Sequence, residues 1–524
     1  MTINADTTST APLSQRQVLL VFGGLLLGMF IGALDQTIMA TALPTIAGDL
    51  GGLSQLSWVV TVYVLGAAAS TPIWGKVSDL YGRRDLLRAS IVVFLVGSAL
   101  SGLSHSIGEL IAFRALQGIG AGGVMTLAMA TVGDIVSPRE RGRYQGYIQT
   151  VFVLASVAGP LLGGLFVDHL SWRWAFYANL PIGAVALALL SAYLHLPAER
   201  RPGRIDFLGA GLLAAAVSSS LLVTVWAGDR YAWRSPQILG LATVALALFG
   251  AFVWQERRAP EPVLPLRLFR DRVLVVVSAA LFIATLSLFA ALVFMPLFLQ
   301  IVTGTSATQS GLLVLPLLLA STLSTVASGR VMASTGRYKV FPVVGLALMS
   351  LGLLLLSRLG ATSSRGTAAL FMVVFGLGFG MVTQVLVVAI QNAVDRREIG
   401  TATASANLFR AVGGSVGVAI YGAVFANGLR HWLPLTLPGR LPAGVDPHGI
   451  QASPGRIHAF PAAVQHGVAQ AVANSLHDVF LTAAPIALAG FLVVLFLRER
   501  PLRGPSQART GARPQGRPSE PSRT

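Results

Sequence analysis

Gly75-Lys76-Val77-Ser78-Asp79-Leu80-Tyr81-Gly82-Arg83-Arg84 separates two apolar blocks, 56–75 and 86–104. Each block is about the 20 residues that cross a bilayer as a helix. Glycine permits a tight turn, and the cations mark one side of a membrane. Asp79 can accept hydrogen bonds from a neighbouring helix N-terminus or from an arginine. An ordinary basic loop needs none of this spacing, yet the stretch meets GxxxDxxGRR in full.

The same alternation continues in both directions. Apolar blocks fall at 18–41, 56–75, 86–104, 108–133, 145–167, 174–196, 206–226, 237–256, 272–299, 309–332, 339–357, 368–391, 401–424 and 477–497. Composition agrees: 54% of the 524 residues are hydrophobic, 11% are charged, and mean hydropathy is +0.70. So few charges cannot coat several soluble domains, which carry about 25%. A soluble enzyme, a disordered scaffold and a disulfide module are excluded, the last because there is no cysteine. Ala40-Thr41-Ala42 imitates a signal-cleavage site, but the apolar stretch before it is too long and contains Asp35, so it reads as a retained helix.

The 38 basic residues against 21 acidic ones leave +17. Such a balance suits nucleic acid only if the cations cluster on a solvated domain. Here an even span count puts both termini on one side. A cytoplasmic N-terminus then places 28 cations inside and eight outside, with Arg114 and Arg410 within spans. The positive-inside rule fixes that orientation and leaves no nucleic-acid partner to explain.

Gly75 with Gly82-Arg83 recurs 254 residues later as Gly329 with Gly336-Arg337, and Gly146, Gly159 and Gly163 recur as Gly400, Gly413 and Gly417. One offset shared by several motifs in matching spans indicates two six-helix halves. The expected organisation is a cytoplasmic segment 1–17, an N-terminal half 18–200, two inserted spans and a linker over 201–271, and a C-terminal half 272–497. The second half carries a long outer loop, 425–476, and a disordered basic tail follows at 498–524. Within the loop, 433–461 reads as irregular and Ala462–Leu476 as a short amphipathic helix. Asp79 becomes Ala333 and Pro160 becomes Gly414, so the charged apparatus stays in the first half.

With these motifs together the chain resembles the major facilitator superfamily, in its fourteen-helix drug:proton antiporter branch. Leu34-Asp35-Gln36-Thr37 through Ala42-Leu43-Pro44 is similar to that branch's first-helix motif. Arg114 to Ala121 matches RxxQGxGA, and Gly159-Pro160-Leu161-Leu162-Gly163-Gly164 matches the antiporter signature GPxxGG. Ser171-Trp172-Arg173-Trp174-Ala175-Phe176 through Asn179-Leu180-Pro181 resembles the segment opening span 6, while Ala155 stands where the longer span 5 signature has glycine. The resemblance implies an all-α membrane protein of fourteen spans, two pseudo-symmetric halves plus two inserted helices, working by alternating access.

It also implies roles. A carboxylate within a span is costly and by default functional. Asp35, about six residues or roughly 9 Å from the outer end of its span, is the expected proton carrier, with a permanently paired structural ion as the alternative. Arg114, at similar depth, would tune it or simply tie two helices. Gly75, Asp79, Gly82, Arg83, Arg84 and Asp134 would form a cytoplasmic latch, although Asp134 could instead neutralise the Arg139–Arg143 cluster. Gly159, Pro160, Gly163 and Gly164 would kink span 5 and permit close helix approach. Gln36, Tyr63, Phe152 and Gln384 are candidate substrate contacts, while Asn407 and Arg410 are less readable, the latter near the cytoplasmic end of its span. With no carboxylate deep in the second half, lipophilic neutral or monocationic substrates are expected. Five of eight histidines lie in or beside the outer loop, so no metal site is expected. No catalytic or nucleotide-binding motif occurs either, so the expected energy source is a proton gradient without any cofactor.

The leading expectation is a monomeric proton-coupled exporter of lipophilic drugs or antibiotics in a bacterial cytoplasmic membrane. An exporter of an endogenous lipid, siderophore or secondary metabolite is the alternative. A non-transporting membrane sensor is the reading from a different class.

Overall fold

The computed structural model describes residues 15–50, 56–136, 138–194, 206–227, 231, 235–305, 307–395, 398–437 and 460–502. The first half comprises α1 (Gln15–Leu50), α2 (Leu56–Tyr81), α3 (Arg83–Leu103), α4 (Ile107–Ile135), α5 (Pro138–His169), the short α6 (Trp174–Tyr177) and α7 (Asn179–Tyr193). Two inserted helices follow, α8 (Phe207–Trp226) and α9 (Pro236–Glu256). The second half contains α10 (Arg272–Ile301), α11 (Ala307–Leu313), α12 (Leu315–Thr335), α13 (Val340–Leu356), α14 (Arg365–Ala393), α15 (Ile399–Thr436) and α16 (Ala462–Leu495). Among the described residues 13 helices are long and apolar enough to cross a membrane, and α13 is a shorter apolar helix.

Sequence punctuation sets several starts. Ser106, Asp206, Ser235, Asp271 and Ser364 cap α4, α8, α9, α10 and α14 through side-chain oxygens that accept orphan backbone N–H groups. Gly82 and Gly336, equivalent in the repeat, have φ of 96° and 72°, a backbone that favours glycine.

The halves repeat one packing plan. α1 packs on α5 and α7 as α10 packs on α15 and α16, while α4 packs on α2 and α3 as α14 packs on α12 and α13. Apolar lipid tails give helices little reason to associate, so close contact must hold them. On α4, a Cβ at Gly118 would collide with the Tyr63 carbonyl and one at Gly120 with the Phe94 backbone. On α14, Gly376 and Gly378 meet α12 and α13 in the same way. The halves meet along two related seams, α2 with α15 and α5 with α12. α8 packs against the first seam, and Lys76–Glu261 (2.9 Å) fastens the segment after α9 to α2.

Several boundaries differ from expectation. α1 continues past 41 to Leu50, where Trp172 Nε1 donates to Asp49 (2.9 Å). Asp35 therefore lies 15 residues, or roughly 22 Å, before the helix end. The outer segment expected at 425–476 is shorter, because α15 runs to Thr436 and α16 begins at Ala462. The expected short helix at 462–476 is the first part of α16: its alanine-rich run has no proline before the last span, and Trp432 Nε1 donates to Asp478 (3.0 Å). The expected disordered tail starts ordered, with Glu499 accepting from the backbone of Tyr338 and Lys339 and Arg500 paired to Asp271 (2.8 Å). Residues 1–14, part of the expected outer loop (438–459) and the tail from 503 lie outside the described residues.

Candidate functional site

The first candidate site is sealed between helices of the N-terminal half. Asp35 on α1 and Arg114 on α4 are each 1% exposed, and Arg114 Nη1 donates to Asp35 Oδ2 at 2.5 Å. Asp35 Oδ1 accepts from Gln117 Nε2 (2.8 Å) and Asn179 Nδ2 (3.1 Å). Arg114 also donates to Gln117 Oε1 (2.8 Å) and the Val59 carbonyl (3.3 Å), and lies 4.2 Å over the Tyr63 ring. Asn179 opens α7 and donates to Ser98 as well. Both charges are thus satisfied, as buried charges must be. Arg114 keeps other acceptors, which bears on what happens if the carboxylate is neutralised.

Gln117 and Asn179 are functional candidates that the sequence reading passed over. The signal was available for Gln117, one helical turn from Arg114 and so on the same face. For Asn179 the signals are an amide in an apolar span and its place in the segment that opens span 6.

The second site joins the halves on the face that carries the Gly75–Arg84 loop. Arg83 bridges Asp79 (2.9 Å) and Asp134 (2.7 Å) and donates to the Ala130 carbonyl (3.0 Å). Asp79 crosses to the other half, accepting from Gly400 N (3.1 Å), Thr401 N (2.7 Å) and Thr401 Oγ1 (2.8 Å). One carboxylate therefore holds an arginine of its own half and caps α15 of the other. Gly75 permits the approach, since a Cβ there would sit 2.5 Å from that of Ala404. Gln391 Nε2 adds bonds to the Met129 carbonyl and to Thr403. Arg84 is not part of this contact: it reaches back to the Ser191 carbonyl beside Arg88. Facing away from the partner half, it ties α3 to α7 instead.

In α5 the GPxxGG stretch divides. Gly159 lies against Thr37 so closely that no Cβ fits, and Thr37 donates to the Ala155 carbonyl (2.9 Å). Gly164 faces open space. Gly163 is buried in α5, and the Pro160 side chain lies outside the described residues. Close approach is therefore a property of Gly159, which meets α1 at Thr37, two residues from Asp35, and not of Gly164.

α2 and α15 touch over Gly75–Asp79 and Gly400–Ala404 but part further along. Between Val60–Ala68 and Arg410–Ala426 they enclose a cavity of about 570 Å³, a size suited to a small organic molecule. It lies away from the basic face. The inserted helix α8 supplies Leu221 and Thr224 to its wall, a contribution absent from the sequence reading. Of the four expected substrate contacts, only Gln36 lines this cavity. Tyr63 is buried against Arg114, where its hydroxyl bonds to Gln36. Phe152 packs on the hydrophobic cores of the first half. Gln384 is buried in α14 with Oε1 unpartnered. Asn407 donates to Thr126 across the halves (3.4 Å). Arg410 lies 11 residues into α15 and lines the cavity, deeper than the span end where it was expected. No cluster of three or more metal-ligating side chains occurs among the described residues.

A family model described as Major Facilitator Superfamily matches residues 25–418. The chain is 34% identical to Multidrug transporter protein MdtP of Bacillus subtilis, over 91% of this chain and 93% of that protein. It is also 34% identical to Multidrug resistance protein 3 of the same organism, over 94% and 97%. An uncharacterized MFS-type transporter of Mycobacterium tuberculosis is 41% identical over 92% of this chain and 70% of its own length. Among solved structures, the human organic anion transporter MFSD10 superposes with a TM-score of 0.61 at 18% identity, covering 92% of this chain and 99% of that one. The proton:xylose symporter XylE superposes at 0.58 and 13%, covering 90% and 96%. These two likenesses concern the fold.

Proposed function

The chain belongs to the major facilitator superfamily, a family of transporters and not enzymes, and from that premise we propose that it is a proton-coupled antiporter exporting lipophilic drugs or antibiotics. The observation that carries this reading is Asp35, a carboxylate buried in the membrane-spanning interior with one guanidinium and two amides on its oxygens. Proton uptake removes its charge, and Arg114 then retains Gln117, the Val59 carbonyl and the Tyr63 face. Without those acceptors, neutralising Asp35 would strand a buried cation at a cost of several kcal/mol. The pair can therefore separate without either partner being abandoned.

Gln36 couples this pair to the cavity. It follows Asp35 in α1, lines the cavity and bonds to the Tyr63 hydroxyl, whose ring lies under Arg114. A substrate that moves Gln36 perturbs the carboxylate through Tyr63 and Arg114.

The basic face is cytoplasmic on the positive-inside rule, with both termini there, and the membrane is a bacterial cytoplasmic membrane. The Asp79–Thr401 latch then closes the cytoplasmic end while the cavity opens outward, the state from which drug leaves and a proton enters. The driving force is the proton gradient, with no cofactor, and the working unit is the monomer. The relatives named for multidrug transport support the substrate class.

The test is dye efflux in everted vesicles with an imposed pH gradient. Wild type should accumulate a lipophilic dye against its gradient, and Asp35→Asn should not. Gradient-driven accumulation by Asp35→Asn would sink the proposal.

A further inference from the structure

Arg410 stands apart from the other cations of the interior. Arg114 and Arg83 each hold carboxylates, whereas among the described residues no hydrogen bond, ion pair or ring contact engages the Arg410 guanidinium. Its residue is 11 positions into α15, roughly 16 Å from the helix start, so it cannot simply reach the basic face. Arg410 is among the residues lining the cavity, and the polar residues that line it with Arg410 are Gln36, Thr61, Thr224 and Ser415, none of them acidic. The rest of the lining is apolar, including Val60, Val64, Leu65, Leu221, Phe289 and Val418.

A cation in such a place is costly and calls for a partner. The described residues supply one to Arg114 from α1 and none to Arg410. We propose that Arg410 receives the anionic group of the transported substrate, and that the preferred substrates are lipophilic monocarboxylic acids. An apolar body fills the wall of α2, α8 and α15, while the planar guanidinium takes the carboxylate through two parallel hydrogen bonds. The inference rests on the exporter reading and deepens it, replacing the neutral or monocationic class expected from the scarcity of carboxylates. That scarcity has another meaning at this cavity: no carboxylate competes with the ligand for the arginine, and none repels its charge.

Binding to the purified full-length protein in detergent, at one pH and without a gradient, tests this separately from proton coupling. The probes are 1-naphthaleneacetate, its neutral amide and a naphthylmethyl-trimethylammonium cation, compared by displacement of tritiated 1-naphthaleneacetate. The acid should bind at least about tenfold more tightly than the amide, the scale of a charge-assisted pair. Arg410→Gln should remove that preference, and Arg410→Lys should restore part of it, which a merely misfolded variant could not do. Equal binding of acid and amide, tighter binding of the cation, absence of acid binding, or an unchanged preference in Arg410→Gln each overturn the proposal. Failure here leaves proton coupling at Asp35 untouched, and loss of coupling in vesicles leaves this equilibrium preference untouched.

Discussion

Asp79 at the end of α2 caps the start of α15 in the opposite half, taking both the backbone N–H and the hydroxyl of Thr401 on one oxygen. Arg83 sits on its other oxygen and extends the contact to Asp134. Opening this end of the molecule must break bonds to a carboxylate, each worth about 1.5–3 kcal/mol.

Asp79→Ala should therefore favour the alternative conformation by about 2 kcal/mol. The chain has no native cysteine, so single reporters are clean. A cysteine at Ala404, packed near Gly75 and 1% exposed, should react with a hydrophilic maleimide at least several-fold faster in the Asp79→Ala background. Unchanged labelling would show that the latch does not hold this end shut.

Gly159→Val should abolish transport and lower thermal stability, because its side chain collides with Thr37 beside Asp35. Overpacking of this kind costs about 1–3 kcal/mol. Gly164→Val, which faces open space, should leave both the melting temperature and efflux within error of wild type. A scan of melting temperatures in detergent, paired with dye efflux, separates the two glycines.

Asn179→Ala and Gln117→Ala each remove one amide donor from Asp35. Each should reduce gradient-driven efflux about tenfold, in line with loss of a hydrogen bond to a charged group. Neither should matter as much as Asp35→Asn. Wild-type efflux rates in both variants would restrict the proton site to Asp35 and Arg114.

Leu221→Trp in α8 should fill part of the cavity without touching either buried ion pair. Efflux should fall while labelling at the Ala404 reporter stays as in the parent. If efflux is unaffected, the inserted pair is not a wall of the transport path.

Much of this is legible in the sequence. Apolar blocks and the placement of arginines read as spans because bilayer thickness and charge asymmetry act on sequence directly. The 254-residue offset carried the two-half plan, down to Gly82 and Gly336 sharing a positive φ. Asp35 and Arg114 stood out because ionisable residues within spans are rare. Gln117 and Asn179 did not, since an amide costs less to bury and carries no charge to announce it. Tyr63 read as a substrate contact because an aromatic ring suits a cavity as well as the face of an arginine. The cavity itself was beyond reach: its walls come from α1, α2, α8, α10 and α15, and only packing brings them together. Arg410 reads as a span-end cation because only nine residues separate it from the expected span start at 401, while the cavity beside it exists only once the helices pack.

The central claim is that Asp35 exchanges its proton for substrate. Purified protein in weakly buffered detergent solution, with a pH-sensitive dye, tests it most directly. Adding a saturating lipophilic substrate to wild type should release protons, and adding it to Asp35→Asn should release none. Equal release from both proteins, or none from wild type while the substrate binds, would contradict the account.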